Sequence, residues 1–515
     1  MITKKLLIKN KFPILIGFLL FVVALFLRVW RLSSAPDIFG DEALYTDIAI
    51  NLPVYGQLVS YGEPWFVHPP LFFLVQSIFF QSVGISEVTL TNVFTARLPT
   101  CLWSSLTVLV VFVWITKASN YKIGTATALL LMFEPYSLRY GRIGIMDSMM
   151  IMFIVTSLYL FWKANDNGGF KRYVLAGVFF GLALLTKELA FYLFLPILIW
   201  WIITRYVSKV KVSIRKLSAF IGTSLLVYLG SFIWGLHLDT YGFLDAKIFL
   251  IKRVFWIIGD YTDYNNPRYT SFINDLIRVA DIYIVSYILL ALAPVACLYL
   301  IFREKSRISI LLSSWFIGSA IFFGLIGVQN IKFFVYITMP AAVVVVYTLS
   351  KIHFRTPVVK MSEGWGSKSK QLLPFTCLTT VRSRLLPQYK VIIVILLAIM
   401  IMVNSGVWYR LYGIETDDAL KQSIEWTQAN IPEGTTIVAR SYFDSFFLKN
   451  YTICAGTLHD ITGQNIHYFI LILHSNYYEN NEDLLEYLTT NGKVICTFYG
   501  REIRQINIYY VKNPI

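Results

Sequence analysis

The sequence predicts a polytopic α-helical membrane protein. It would have about 11 transmembrane helices, interfacial helices in the first external loop, and a small C-terminal α/β domain outside the membrane. Three observations lead there. Hydrophobic residues form 57% of the 515 residues and charged residues only 15%, against roughly 25% charged in soluble domains. Apolar runs of membrane-spanning length recur from residue 12 to residue 409. After residue 410 the composition shifts, and short strand-like runs alternate with helix-like ones. This balance excludes an ordinary water-soluble enzyme, a disordered chain and a collagen-like chain.

A bilayer core about 30 Å thick needs about 20 largely apolar residues per helix. Eleven segments meet or approach that length: 12–32, 97–116, 123–139, 148–163, 173–187, 189–204, 217–236, 281–302, 309–327, 332–350 and 391–409. The first is longer than the apolar core of a signal peptide and ends in RVWRL without a small-residue cleavage site, so a retained span is expected. A further apolar run, 68–84, opens on His68-Pro69-Pro70 and includes Gln76 and Gln81.

Charge orients the spans. Lys4, Lys5, Lys9 and Lys11 place the N-terminus in the cytoplasm. The stretch 33–96 holds no Lys or Arg but carries Asp37, Asp41, Glu42, Asp47, Glu63 and Glu87, which suits an external loop. Basic connections then recur at Lys117 and Lys122, at Lys163, Lys171 and Arg172, at 205–216 and at 303–307, and 351–390 holds eight Lys/Arg. All of them are cytoplasmic if 68–84 lies along the surface or re-enters rather than crossing. A plain twelfth span is the alternative. Arg28 and Arg31 break the pattern at the outer end of the first span. On this reading the net charge of +15 reports cytoplasmic loops in a cell membrane, not nucleic acid.

The expected organisation is a membrane domain over 1–410, with external loops at 33–96 and 236–280 and a cytoplasmic loop at 351–390. An extracytoplasmic domain follows over 411–515. Its strands are expected at 435–440, 467–473, 493–498 and 506–511, and its helices at 417–430 and 482–487. The five cysteines show no CxxC pair, so neither a zinc site nor a disulfide framework follows. Only Cys454 and Cys496 share a domain, and nothing in their spacing calls for a bridge.

Ionisable groups at the ends of spans are costly and therefore informative. In this topology Arg97, Arg139, Arg142, Lys187 and Lys332 all fall at the outer face, beside Asp41, Glu42, Asp147 and Glu188. Each has a plainer reading: terminal Arg and Lys snorkel, Asp147 suits a helix N-cap, and Lys187–Glu188 is self-neutralising. Convergence of these groups from distant segments favours a shared task. Cations beside carboxylates suit an anionic lipid head group, a carboxylate base and an incoming hydroxyl. Anchoring to anionic lipid would gather the same cations without needing the carboxylates.

The motifs PDIFGDEALYTDIAINL, EPWFVHPPLFFL, ARLPT (96–100), RYGRIGIMDSMM (139–150), GLALLTKELAFYLFLP (181–196) and KFFVYITMP (332–340) occur in that order. Together they resemble the protein O-mannosyltransferase and aminoarabinose transferase group of the GT-C superfamily, over roughly residues 10–345. The resemblance implies a GT-C fold and transfer of a sugar from a polyprenyl- or dolichyl-phosphate donor to a hydroxyl acceptor (protein, lipid or glycan) at the outer face, usually with inversion. It implies Asp41 as catalytic base with Glu42 assisting. Arg97, Arg142, Asp147, Lys187, Lys332 and, less securely matched, Arg139 would contact phosphate or sugar. His68 stands where the aminoarabinose transferases usually carry Lys. Mannosyltransferase-like members often carry His there, which leans the sugar toward a hexose such as mannose. There is no room for a β-trefoil insert in 236–280, and the WWDYG signature of oligosaccharyltransferases is missing.

No metal is expected to be required: His237, Asp239, Asp245, Asp260 and Asp263 match no closed ligand spacing. Trp256, Tyr261, Tyr264 and Tyr269 either line an acceptor cleft or belong to the interfacial aromatic belt. Two rival readings remain, a transporter of polyprenyl-linked sugar or polysaccharide and an inactive GT-C-like scaffold. The outer-end position of the charges weighs against the first, and the Asp41–Glu42 pair against the second.

Overall fold

The structure is a computed structural model. It describes residues 2–167, 169–210, 212–254, 277, 279–325, 331–352, 376–439, 444–454, 463–472, 482–501 and 505–512. Among these, nine helices are long and apolar enough to cross a membrane. The chain opens with α1 (Ile2–Val29), followed by α2 (Gly40–Tyr55), a two-stranded hairpin of β1 (Val59–Ser60) and β2 (Glu63–Pro64), and α3 (Leu71–Val83). The helical body continues through α4 (Leu90–Ala118), α5 (Tyr121–Met132), α6 (Pro135–Tyr140), α7 (Asp147–Asn167), α8 (Phe170–Thr186), α9 (Phe194–Tyr206) and α10 (Ile214–Leu238). It is completed by α11 (Thr240–Val254), α12 (Ala280–Tyr299), α13 (Arg307–Leu325), α14 (Val335–Lys351) and α15 (Thr376–Trp408).

The expected spans fall on helical segments, but 123–139 is divided between α5 and α6, and residues 326–327 of another lie outside the described residues. Two are shorter than a full span. The 12-residue α5 gives way to α6 at Glu134, whose carboxylate caps α6 by accepting from Ser137 N–H at 2.7 Å. The 17-residue α8 is followed directly by a 3-10 turn, Glu188–Leu193. α3, with 13 residues, is about 20 Å long, short of the bilayer core. Between α8 and α10 the backbones approach closely. A Cβ on Gly177 would lie 2.4 Å from Phe220 O, and one on Gly181 2.5 Å from Val227 Cβ. Small residues four apart are how membrane helices reach such separations without lipid between them.

Beyond α15 lie α16 (Ala419–Asn430), β3 (Thr436–Ala439), α17 (Asp444–Phe447), β4 (Thr452–Cys454), β5 (Tyr468–Ile472), α18 (Glu482–Asn491), β6 (Gly492–Tyr499) and β7 (Gln505–Val511). The strand order is β4-β3-β5-β7-β6, with β4, β3 and β5 parallel and β7 and β6 antiparallel. Side chains alternate between faces. Val438, Phe469, Leu471 and Tyr509 pack with Leu484 and Leu488 of α18. Ile437, Ile470, Ile506 and Ile508 pack with Leu420 and Ile424 of α16 and, in the same cluster, with Ile38, Ala43, Val93 and Phe94 of the first loop and α4. Cys454 and Cys496 lie on opposite edge strands, roughly 19 Å apart by strand spacing. That is far beyond disulfide reach, and both are free thiols.

The strand ends at Arg440 and Leu473, and most of the expected 351–390 loop, fall outside the described residues.

Candidate functional site

The first turn of α2 carries the two adjacent carboxylates, and the fold treats them differently. Glu42 is fully buried. It takes Arg97 from α4 in a fork, Nε–Oε1 and Nη2–Oε2 both at 2.7 Å, and accepts from Phe39 N–H at 2.9 Å and Gly144 N–H at 2.5 Å. Arg97 completes its donor set on the carbonyls of Leu32, Pro36 and Asp37. The pair thus fixes the helix start, the preceding loop and the Gly144 segment together. Asp41, one residue earlier, keeps a carboxylate that is 29% exposed and faces Lys332 Nζ at 3.4 Å. Lys332 sits on the 3-10 turn Ile331–Phe334 that leads into α14, 5.4 Å from the Phe39 ring centre.

Behind this pair lies a second one. Asp147, the first residue of α7, receives Lys187 Nζ at 2.8 and 3.0 Å and a hydrogen bond from the Tyr336 hydroxyl of α14. A helix N-terminus also favours its negative charge. Lys332 acts electrostatically on Asp147, and Asp41 on Lys187, so the two pairs form one neighbourhood.

A further group stands beside it. Glu188 pairs with Lys247 of α11 and lies 3.7 Å from His68 Nδ1. Lys247 also donates to Phe66 O at 2.8 Å. Phe66, Tyr228, Trp234 and Phe243 wall the small pocket around these charges. Burial pushes the His68 imidazole below its ordinary value, against the pull of Glu188. Its ring centre is 6.2 Å from that of Tyr45, which lies one helical turn along α2 from Asp41, roughly 6 Å.

The other arginines differ from expectation. Arg142 turns away from an open interface: it donates to the carbonyls of Leu27, Arg28, Trp30 and Ala35 at 2.7–2.9 Å and lies 4.4 Å from the Tyr412 ring centre. Arg139, 5.3 Å from the Tyr140 ring centre, also acts on Tyr412. The physical reason is the irregular backbone after α1, whose buried carbonyls need donors that no helix supplies. Arg28 and Arg31 are also accounted for. Arg28 bonds Ser104 Oγ at 2.7 Å, and Arg31 reaches the carbonyls of Gly413 and Ile414.

Sequence reasoning singled out Asp41, Asp147, Lys187, Lys332 and His68, and the fold gathers them in two adjacent clusters. It missed Lys247 and Tyr336. Tyr336 stands in the quoted KFFVYITMP segment, but Lys247 sits in no motif. Among the described residues no group of three or more His, Cys, Asp or Glu could hold a metal. Asp239 spends one oxygen on Gly242 N–H at 3.0 Å. Trp256, Asp260, Tyr261, Asp263, Tyr264 and Tyr269 lie outside the described residues.

Residues 67–234 match the family described as dolichyl-phosphate-mannose-protein mannosyltransferase. The whole fold resembles ArnT from Cupriavidus metallidurans bound to undecaprenyl phosphate, at 14% identity and TM-score 0.59, covering 97% of each chain. It also resembles the Archaeoglobus fulgidus oligosaccharyltransferase in its apo form, at 11% identity and TM-score 0.55, covering 90% of this chain and 70% of that one. No curated protein matches the sequence. The architecture is the GT-C fold. The family match covers about a third of the chain, and the likeness to the solved structures extends over nearly all of it as architecture.

Proposed function

We propose that the protein transfers a sugar, a hexose such as mannose, from a polyprenyl- or dolichyl-phosphate donor to a hydroxyl on a protein, lipid or glycan at the outer membrane face. Asp41 is the base. Its carboxylate takes the acceptor proton as the acceptor oxygen bonds to the anomeric carbon. The bond from that carbon to the phosphate oxygen breaks, and the lipid phosphate leaves with the bonding pair. Displacement from the opposite side inverts the anomeric centre. Lys332 orients the Asp41 carboxylate, and Lys187, Asp147 and Tyr336 form the polar wall beside it. His68 and Lys247 supply hydrogen bonds and charge to the phosphate. Glu42 and Arg97 position the base, and no metal is required.

The observation that carries this reading is the contrast inside the adjacent pair. Glu42 has its oxygens committed to four donors, whereas Asp41 retains an accessible carboxylate. The lipid phosphates bound to the fold relatives support the donor class: undecaprenyl phosphate in ArnT and dolichol-phosphate in AglB from Archaeoglobus fulgidus, the latter at 13% identity and TM-score 0.51 over 90% of this chain and 69% of that one.

The test is turnover in liposomes with a polyprenyl-phosphate-linked mannose and a hydroxyl acceptor, read as release of lipid phosphate. Asp41→Asn is expected to lower turnover by about 10²-fold or more while donor binding persists. Parent-like turnover removes Asp41 from the mechanism. Donor lipid recovered intact in the opposite leaflet identifies a transporter instead.

A further inference from the structure

The segment immediately before Asp41 is held by the C-terminal unit. Arg31 donates to Gly413 O at 2.6 Å and Ile414 O at 3.0 Å, and Asp417 N–H donates to Ser34 O at 2.9 Å. The Asp37 carboxylate bridges the two parts. One oxygen accepts from its neighbour Ile38 N–H and the other from Leu420 N–H, both at 2.8 Å. Leu420 lies in the first turn of α16, where backbone N–H groups have no intrahelical acceptor, so Asp37 serves that helix as a cap from almost the opposite end of the chain. The Asp37 carbonyl accepts from Arg97, the partner of Glu42. A single buried residue therefore joins the α16 N-terminus, the loop and the ion pair that fixes the start of α2.

The apolar contacts run the same way. Ile38 and Ala43, on either side of Asp41, share a cluster with Ala419, Leu420 and Ile424. Lys449 of the C-terminal unit also acts electrostatically on Asp47 of α2.

We infer that the C-terminal unit sets the position of the Asp41 carboxylate, and that Asp37 is the positioning residue through which it does so. The inference rests on the proposed role of Asp41. Loss of the bridge frees the first turn of α2 from α16 but leaves His68, Lys187 and Lys247 in place. Turnover then falls while the donor is still held.

The experiment uses the full chain in liposomes, with polyprenyl-phosphate-linked mannose as the probe, and measures kcat, KM and the number of donor molecules bound per protein. Asp37→Asn is expected to lower kcat about tenfold or more, with donor stoichiometry and KM unchanged. Arg31→Met removes two staples at the rim and leaves the buried core intact. It is expected to lower kcat in the same manner, which covers the case in which Asp37→Asn does not fold. Parent-like kcat in either folded variant overturns the inference, as does a kcat that falls only in proportion to donor stoichiometry. Asp41→Asn run alongside separates the two claims. If it retains turnover, the base assignment falls and this inference falls with it. If it is inactive while the other two variants turn over normally, only the positioning role falls.

Discussion

Lys187 and Glu188 are consecutive residues that serve different clusters: Lys187 reaches Asp147, and Glu188 reaches Lys247 and His68. The extended backbone at Lys187, between α8 and the 3-10 turn, sends the two side chains apart. A self-neutralising turn, the plainer reading of this dipeptide, would have paired them with each other.

The two clusters should separate kinetically. Lys187→Met, in the cluster beside the proposed base Asp41, is expected to lower kcat with little change in donor KM. Glu188→Gln, which loosens Lys247 and His68, is expected to raise donor KM by about tenfold with a smaller effect on kcat. Steady-state kinetics over a range of donor concentrations checks both, and equal shifts in the two variants would contradict the division.

Breaking the Glu42–Arg97 fork should unfold more than it inactivates. Removing one partner of a fully buried pair leaves an uncompensated charge and costs about 3–5 kcal/mol. Arg97→Met is therefore expected to lower the melting temperature in detergent markedly. Asp41→Asn, at a partly exposed site, should leave melting close to the parent.

Arg142→Lys tests whether that residue is a fastener or a ligand. A lysine cannot reproduce a fork that reaches the carbonyls of Leu27, Arg28, Trp30, Arg31 and Ala35, so stability is expected to fall. Donor KM in the remaining folded protein should equal the parent's. A raised KM with parent-like melting would restore Arg142 as a phosphate contact.

The pH dependence of donor binding follows from His68. Burial lowers its folded pKa, so the imidazole is neutral at and above its ordinary value of about 6.5. The sign for stability is that of a group easier to protonate when unfolded. Its contribution is fully present above about 6.5 and is lost as pH falls through that value toward the lowered folded pKa. Donor KM is expected to show no inflection near 6.5, and His68→Gln should leave the profile above that pH unchanged. An inflection at 6.5 that vanishes in the variant would show an ordinary, exposed histidine.

The helical body was legible because apolar length is a local property: the expected spans lie on helical segments, with 123–139 broken between α5 and α6. The ionisable residues at the span ends were legible as a set, since Asp147 or Lys187 beside an apolar run has few inexpensive explanations. Their pairings were not. Lys332 and Asp41 are separated by 291 positions, and no spacing rule reaches that far. Nor could sequence separate a phosphate-binding arginine from one that satisfies backbone. Arg97 and Arg142 both look like phosphate ligands until the carbonyls of residues 27–37 that they serve are seen. Lys247 escaped because it sits in α11 among mixed apolar and basic residues, with no motif around it.

The cluster that packs Ile38 and Ala43 against Leu420, Ile437 and Ile508 also fixes an order of events during biosynthesis. The ribosome delivers Leu420 383 positions after Asp37, so the segment around Asp41 emerges long before its apolar partners. The first turn of α2 therefore rests on an unfinished support until α16 and the strands β3 and β7 have been made and docked.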